Sequence, residues 1–231
     1  MPHECSLRRQ IYEQYKPAFS EVLETIREGN YRRADLENLG IAYETNRFLN
    51  WVRLTQAPGD NWAHAPLRPD REDRLKEVRR VGEEWIRSDR NQVPHDYIDM
   101  LRTAQRVFGT AESIESVSQD ELSEGLLSLH AFLEQLRFVK GGRGNLAPFF
   151  WAENNNDVQR VKNSLTRLVH GHGDFVERLH DLVYDPVWWL EQFGTFCALE
   201  LFGTIKPQEF PPINGRMAKA LRFLGYDVKT S

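Results

Sequence analysis

Apolar residues recur three and four positions apart along most of this chain, with no run that alternates as strands do, so the pattern predicts an all-α, multi-helical fold. Leu7, Ile11 and Tyr15 open the first stretch, which Pro17 should limit, and Phe19, Val22, Leu23 and Ile26 resume it until Gly29-Asn30. Leu36, Leu39, Tyr43, Phe48, Trp51, Val52 and Leu54 form a second amphipathic stretch. Four residues, Pro58, Gly59, Pro66 and Pro69, make 57–69 a loop. The helix that follows has Leu75, Val78, Val81, Trp85 and Ile86 as its apolar stripe amid eight Lys/Arg and seven Asp/Glu over 68–90. Charges of both signs at that density suit a solvated face laced with i, i+4 ion pairs.

After Pro94, Tyr97, Ile98, Leu101 and Val107 mark a helix to Gly109, and Ser118-Gln119-Asp120-Glu121 reads as a capping box opening the next. That apolar segment, ELSEGLLSLHAFLEQLRFV, should run to Gly141-Gly142. Asn154-Asn155-Asn156 is a turn, and Val158, Val161, Leu165, Leu168 and Val169 repeat at helical spacing to His170. A short helix from Phe175 ends at Tyr184-Asp185-Pro186. Two further helices, FCALELF and one from Gly215 to Leu224, flank a proline-rich turn. They should pack as a hairpin through Phe196, Leu199, Leu201, Phe202, Phe210, Ile213, Leu221 and Leu224, above Trp188, Trp189 and Phe193. A break near 110–118 divides the chain into two packed helical subdomains, 1–110 and 118–231.

Composition narrows the class. At 40% hydrophobic over 231 residues the chain can repay its conformational entropy, and no apolar run reaches the roughly 18 residues that would suggest a membrane span. The start, MPHECSLRRQIYEQ, lacks the apolar core of a secretory signal, and only Cys5 and Cys197 are present, so a cytoplasmic protein without a disulfide framework is expected. The net charge of -4 gives no global attraction to nucleic acid. It is uneven, however. Arg137, Lys140, Arg143, Arg160, Lys162 and Arg167 face only Glu153 and Asp157 between 137 and 167, six against two, a local net of +4.

Within that tract, Phe138-Val139-Lys140-Gly141-Gly142-Arg143-Gly144-Asn145 is a glycine-rich turn carrying two cations. Glycines allow backbone amides to approach an anion while Lys140 and Arg143 add charge, an arrangement suited to a nucleic-acid phosphate as well as to a sharp helix stop. The Walker pattern GxxxxGK[ST] is absent, so no nucleotide or other cofactor is expected. His170, His172 and His180, with Asp174 and Asp181, do not have a metal-site spacing; His170 is expected instead to favour the dipole at a helix C-terminus. No catalytic residue is assigned, because the serines lack a GxSxG context, the two cysteines lack a local histidine motif and the acidic residues are scattered singly along helices.

The strings LHAFLEQLRFVKGG, HGHGDFVERLHDLVYDP, FGTFCALELFG and PPINGRMAKALRFLGYDV resemble the helical region upstream of the AAA+ GTPase module in McrB-like restriction proteins. The likeness spans 118–231, and Asn214, Arg216, Leu221, Leu224, Gly225 and Tyr226 are its most distinctive part. It implies a place in an anti-phage restriction system, as part of a longer AAA+ protein or as a separate subunit with a motor or nuclease partner. A second similarity is to helix-hairpin-helix DNA glycosylases. Those carry a second hairpin glycine where this chain has Thr195-Phe196, and an aspartate where it has Asn214. An amide cannot supply the anionic stabilisation of an oxocarbenium-like state, which argues against base excision and leaves a catalytically silent DNA-binding hairpin as what this similarity implies first.

The expected function is therefore a non-catalytic module that recognises or holds double-stranded DNA. Lys140, Arg143, Asn145, Arg160, Lys162 and Arg167 would contact DNA, and Asn214, Arg216 and Lys219 would form a recognition hairpin. A protein-interaction module docking a motor or nuclease is the alternative, and a glycosylase-like enzyme the third.

Overall fold

The computed structural model describes residues 2–31, 40–88, 95–207, 209, 211 and 213–229. Among them are thirteen α-helices and no strand, so the fold is all-α. No helix among the described residues is long and apolar enough to cross a membrane. Leu36, Leu39, Pro94 and Phe210 lie outside the described residues, as do the side chains of Leu7, Ile11 and Tyr97.

The chain forms two compact units, and they are not the two expected. Unit 1 comprises Met1–Val93 and Pro207–Ser231, and unit 2 is Pro94–Lys206. Residues 110–118 lie inside unit 2 because that short polar segment carries one anchor. Ile114 is fully buried on α6 (Ala111–Ser116), which Thr110 caps by accepting from the Ser113 amide. The helices expected to pair as a hairpin, α12 (Thr195–Ile205) and α13 (Gly215–Phe223), belong to different units.

Unit 1 is built from α1 (Pro2–Glu28), α2 (Ile41–Trp51), α3 (Asn61–His64), α4 (Arg71–Arg87) and α13. Pro17 does not end α1. A mid-helix proline costs about 3 kcal/mol, and burial of Tyr15, Ala18, Phe19, Val22, Leu23 and Ile26 along one face offsets it. Phe48 of α2 meets Trp85 of α4 at 5.4 Å between centroids, both fully buried. The charge-rich α4 buries Leu75, Val78, Val81 and Trp85, while Ile86 turns out to solvent. Its opposite face carries ion pairs such as Arg80 with Glu77 at 2.7 Å and Arg87 with Glu83 at 3.2 Å, as a solvated face should. The C-terminal segment is held by hydrogen bonds to backbone carbonyls: Arg68 N–H donates to Gly225 O at 2.9 Å, the Arg222 guanidinium to Ala65 O at 2.8 Å, and Tyr15 Oη to Lys229 O.

Asn214 caps α13, its Oδ1 accepting from the amides of Arg216 and Met217 at 3.0 Å each. Such a cap is worth about 1 kcal/mol. Asn214→Ala is expected to lower stability by about that amount in a denaturant melt, whereas Asn214→Asp keeps it, since a carboxylate also accepts from these amides and suits the helix dipole. Equal loss in both variants would show that the amide serves some other purpose.

Unit 2 contains α5 (His95–Phe108), α6, α7 (Gln119–Leu127), α8 (His130–Leu133), α9 (Arg143–Glu153), α10 (Val158–His170), α11 (Phe175–Tyr184) and α12. Its centre is aromatic. Phe132 meets Phe150 edge-on at 5.5 Å and 82°, and Phe193 at 6.5 Å, all three fully buried. The single helix expected from 120 to 139 is broken in two. Ser118 and Glu121 form the anticipated capping box, but α7 ends at Leu127 and α8 starts at His130, followed by a 3-10 turn over Glu134–Arg137. The cause is distant in sequence: the Glu200 carboxylate of α12 accepts from the amides of His130 at 2.9 Å and Ala131 at 2.5 Å, capping a new helix start.

Candidate nucleic-acid interface

The six residues expected to touch DNA separate into two groups. Lys140 lies on the exposed turn after the 3-10 segment, and Arg143 and Asn145 in the exposed first turn of α9 that follows it. Arg160, Lys162 and Arg167 lie on α10, where each holds a neighbouring segment. Lys162 is the clearest correction, since it is only 8% exposed and its Nζ donates to Glu115 O at 2.6 Å. The sequence gives no sign of this, because a lysine at an amphipathic helix boundary can lay its stem inward to reach a carbonyl. Arg160 donates to Trp189 O at 2.5 Å. Arg167 pairs with Asp181 at 2.8 Å and donates to His172 O at 2.8 Å. Arg137 is likewise paired, with Glu134 at 3.0 Å. The net +4 of the tract is thus partly neutralised by acids outside it.

What remains is the turn. Gly141 and Gly142 have φ of +97° and +76°, a region costly for residues with a Cβ. At Gly141 a Cβ would stand 2.0 Å from Asn145 Nδ2. Asn145, itself exposed, lies over the glycine and donates to Lys140 O at 3.1 Å, closing the turn. This makes it a positioning residue. Lys140, at the start of the closed turn, and Arg143, at the first position of α9, are both exposed and form no ion pair among the described residues. Gly142 gives α9 no side-chain cap, so the first amides of that helix face the same surroundings as the two cations.

Phe138, two residues before Lys140, is 78% exposed, with the Arg137 guanidinium 5.7 Å from its ring centroid. Helical periodicity assigned no role to this ring; the clue in the sequence was its place between Arg137 and Lys140 at the edge of the glycines. Phe196, expected in the core, is 69% exposed, and Trp189 is also exposed. Both were assigned to a hairpin of α12 with α13, two helices that belong to different units.

His170 Nε2 lies 2.8 Å from Phe108 O, and burial holds the imidazole below its ordinary pKa, so the neutral ring donates this bond instead of carrying charge for the helix dipole. Burial pushes the Cys197 thiol up to about 12, where it is protonated at neutral pH and a poor nucleophile. The same effect raises Glu200, opposed by its two backbone hydrogen bonds. No group of three or more potential metal ligands occurs among the described residues. In unit 1, Arg216 is exposed and Lys219 Nζ stands 5.2 Å from the Trp62 ring centroid. No family model, curated protein or solved structure matches the chain.

Proposed function

We propose that this chain is a non-catalytic DNA-holding module whose phosphate contacts come from the turn at 137–145. The observation that carries this is the pair Lys140 and Arg143, exposed and without an ion pair among the described residues, on a turn that Gly141 and Asn145 hold in a fixed shape. Two cations on a pre-shaped turn contact phosphates with little ordering cost on the protein side. Taken with the resemblance to the region upstream of McrB-like motors, the module would hold DNA beside a motor or nuclease in a restriction system. The exposed Val187, Trp189 and Phe196 favour a second reading, in which this unit docks that partner.

Anisotropy titration of labelled duplex DNA at low salt tests the proposal. Lys140→Ala/Arg143→Ala is expected to weaken binding about equally across sequences, as loss of phosphate contacts should. Lys162→Met is the internal control: it keeps the stem packed and removes an amine bonded inside the protein, so it should lower stability while leaving DNA affinity as in wild type. A double variant that binds as wild type does, or a Lys162→Met protein that folds but loses DNA, would contradict the assignment.

A further inference from the structure

The turn presents a ring as well as charge, and the ring narrows what kind of DNA it suits. A lone exposed phenylalanine is unremarkable on a protein surface. Phe138 is different in its setting. Arg137 approaches its ring to 5.7 Å, yet the residue is 78% exposed, so much of the ring remains open to solvent. Its backbone is pinned by the hydrogen bond that Phe138 N–H donates to Gln135 O at 2.8 Å, and the Gln135 side-chain amide in turn donates to Gln192 O and to Cys197 Sγ at 3.5 Å. The ring therefore sits on a braced segment, two residues from Lys140 and five from Arg143.

An aromatic face next to uncompensated cations is the pairing by which proteins hold a nucleic-acid strand, the cations following phosphates while the ring stacks on a base. Bases within a duplex are stacked on each other and offer no free face, so such a ring reaches only an unpaired base. We infer that Phe138 is a base-stacking platform, and that the turn at 137–145 binds single-stranded or locally unpaired DNA in preference to duplex. This rests on the DNA-holding reading above and adds the class of strand. Arg137, held by Glu134, acts as a positioning residue, with its guanidinium placed near one part of the ring.

The test compares three labelled probes on the full chain at one salt concentration: a thymidine oligonucleotide, an abasic strand of equal length, and a duplex. Phe138→Ala should weaken thymidine-strand binding about tenfold, as loss of one base stack does, and leave the abasic strand and duplex unchanged. Phe138→Trp should bind the thymidine strand at least as tightly as wild type. Because the side chain is exposed, neither variant should disturb folding, which a thermal melt checks. Unchanged thymidine affinity in Phe138→Ala overturns the inference. So does an equal loss on the abasic strand, or a wild-type self-association that Phe138→Ala abolishes in sedimentation, which would make the ring a protein contact. If Lys140→Ala/Arg143→Ala still weakens all three probes, the phosphate reading stands while the stacking role falls; if neither variant moves any probe, both fall.

Discussion

Phe132→Ala is expected to lower the stability of unit 2 by about 3 to 5 kcal/mol, the range for truncating a fully buried aromatic. Phe132 has no exposed surface and sits between Phe150 and Phe193, with contributions from α8, α9 and the segment before α12 meeting at its ring. Its removal forfeits apolar burial and an edge-on contact, and leaves a cavity that three separate segments must collapse to fill. Phe196→Ala, at a residue 69% exposed, should instead stay within about 0.5 kcal/mol of wild type. Denaturant midpoints followed by tryptophan fluorescence separate the two. A large loss at Phe196 would show instead that its ring is covered.

Asn154→Ala should cost about 2 to 4 kcal/mol, because it removes three buried side-chain hydrogen bonds and takes from the Glu191 amide and carbonyl the partner that satisfies them. Asn154 is fully buried at the end of α9. Its Nδ2 donates to Phe150 O at 2.8 Å and to Glu191 O at 3.0 Å, and its Oδ1 accepts from the Glu191 amide at 3.0 Å. The irregular segment around Glu191 makes few regular backbone bonds, so a buried amide stands in for an adjacent strand or turn of helix. Asn154→Asp tests the same geometry: one oxygen can still accept from the Glu191 amide, but an ionised carboxylate cannot donate to the two carbonyls. It should therefore also be destabilised at neutral pH. Loss of less than about 0.5 kcal/mol in both variants would show that the segment holds itself without this bridge.

Local signals in the sequence were reliable where the chemistry was local. The capping box at Ser118 and Glu121 and the cap at Asn214 each need only a side chain and amides two or three residues on, and both are found. The helical stripes of α4 and α10 are found for the same reason, since a period of 3.6 fixes which residues share a face. Failures came where a remote group decided the outcome. Nothing near Ser128 signals that Glu200, seventy residues on, will cap a new helix at His130. Nothing near Pro17 reports that packing of α1 outweighs a lost backbone bond. The division into units was misplaced because the chain returns at 207–231 to its first unit, an association between segments far apart in sequence.

The candidate site shows the same limit. Counting charges from 137 to 167 located the turn, but counted Lys162 and Arg167 with it, since a sum along the chain cannot see Glu115 O or Asp181 across a helix packing. Sequence proximity therefore overstated the patch: its exposed cations without an ion pair among the described residues are Lys140 and Arg143. Asn145, expected to contact DNA, donates its amide to Lys140 O over the left-handed Gly141, a bond that a reading along the chain cannot see.

The most direct measurement of the central claim is the salt dependence of duplex affinity. Each phosphate neutralised contributes about 0.9 to the slope of log K against log salt. Wild type should show a negative slope that Lys140→Ala/Arg143→Ala flattens by about 1.8, two contacts' worth, while Lys162→Met leaves it unchanged. Parallel slopes for wild type and the double variant would contradict the assignment of phosphate contacts to this turn.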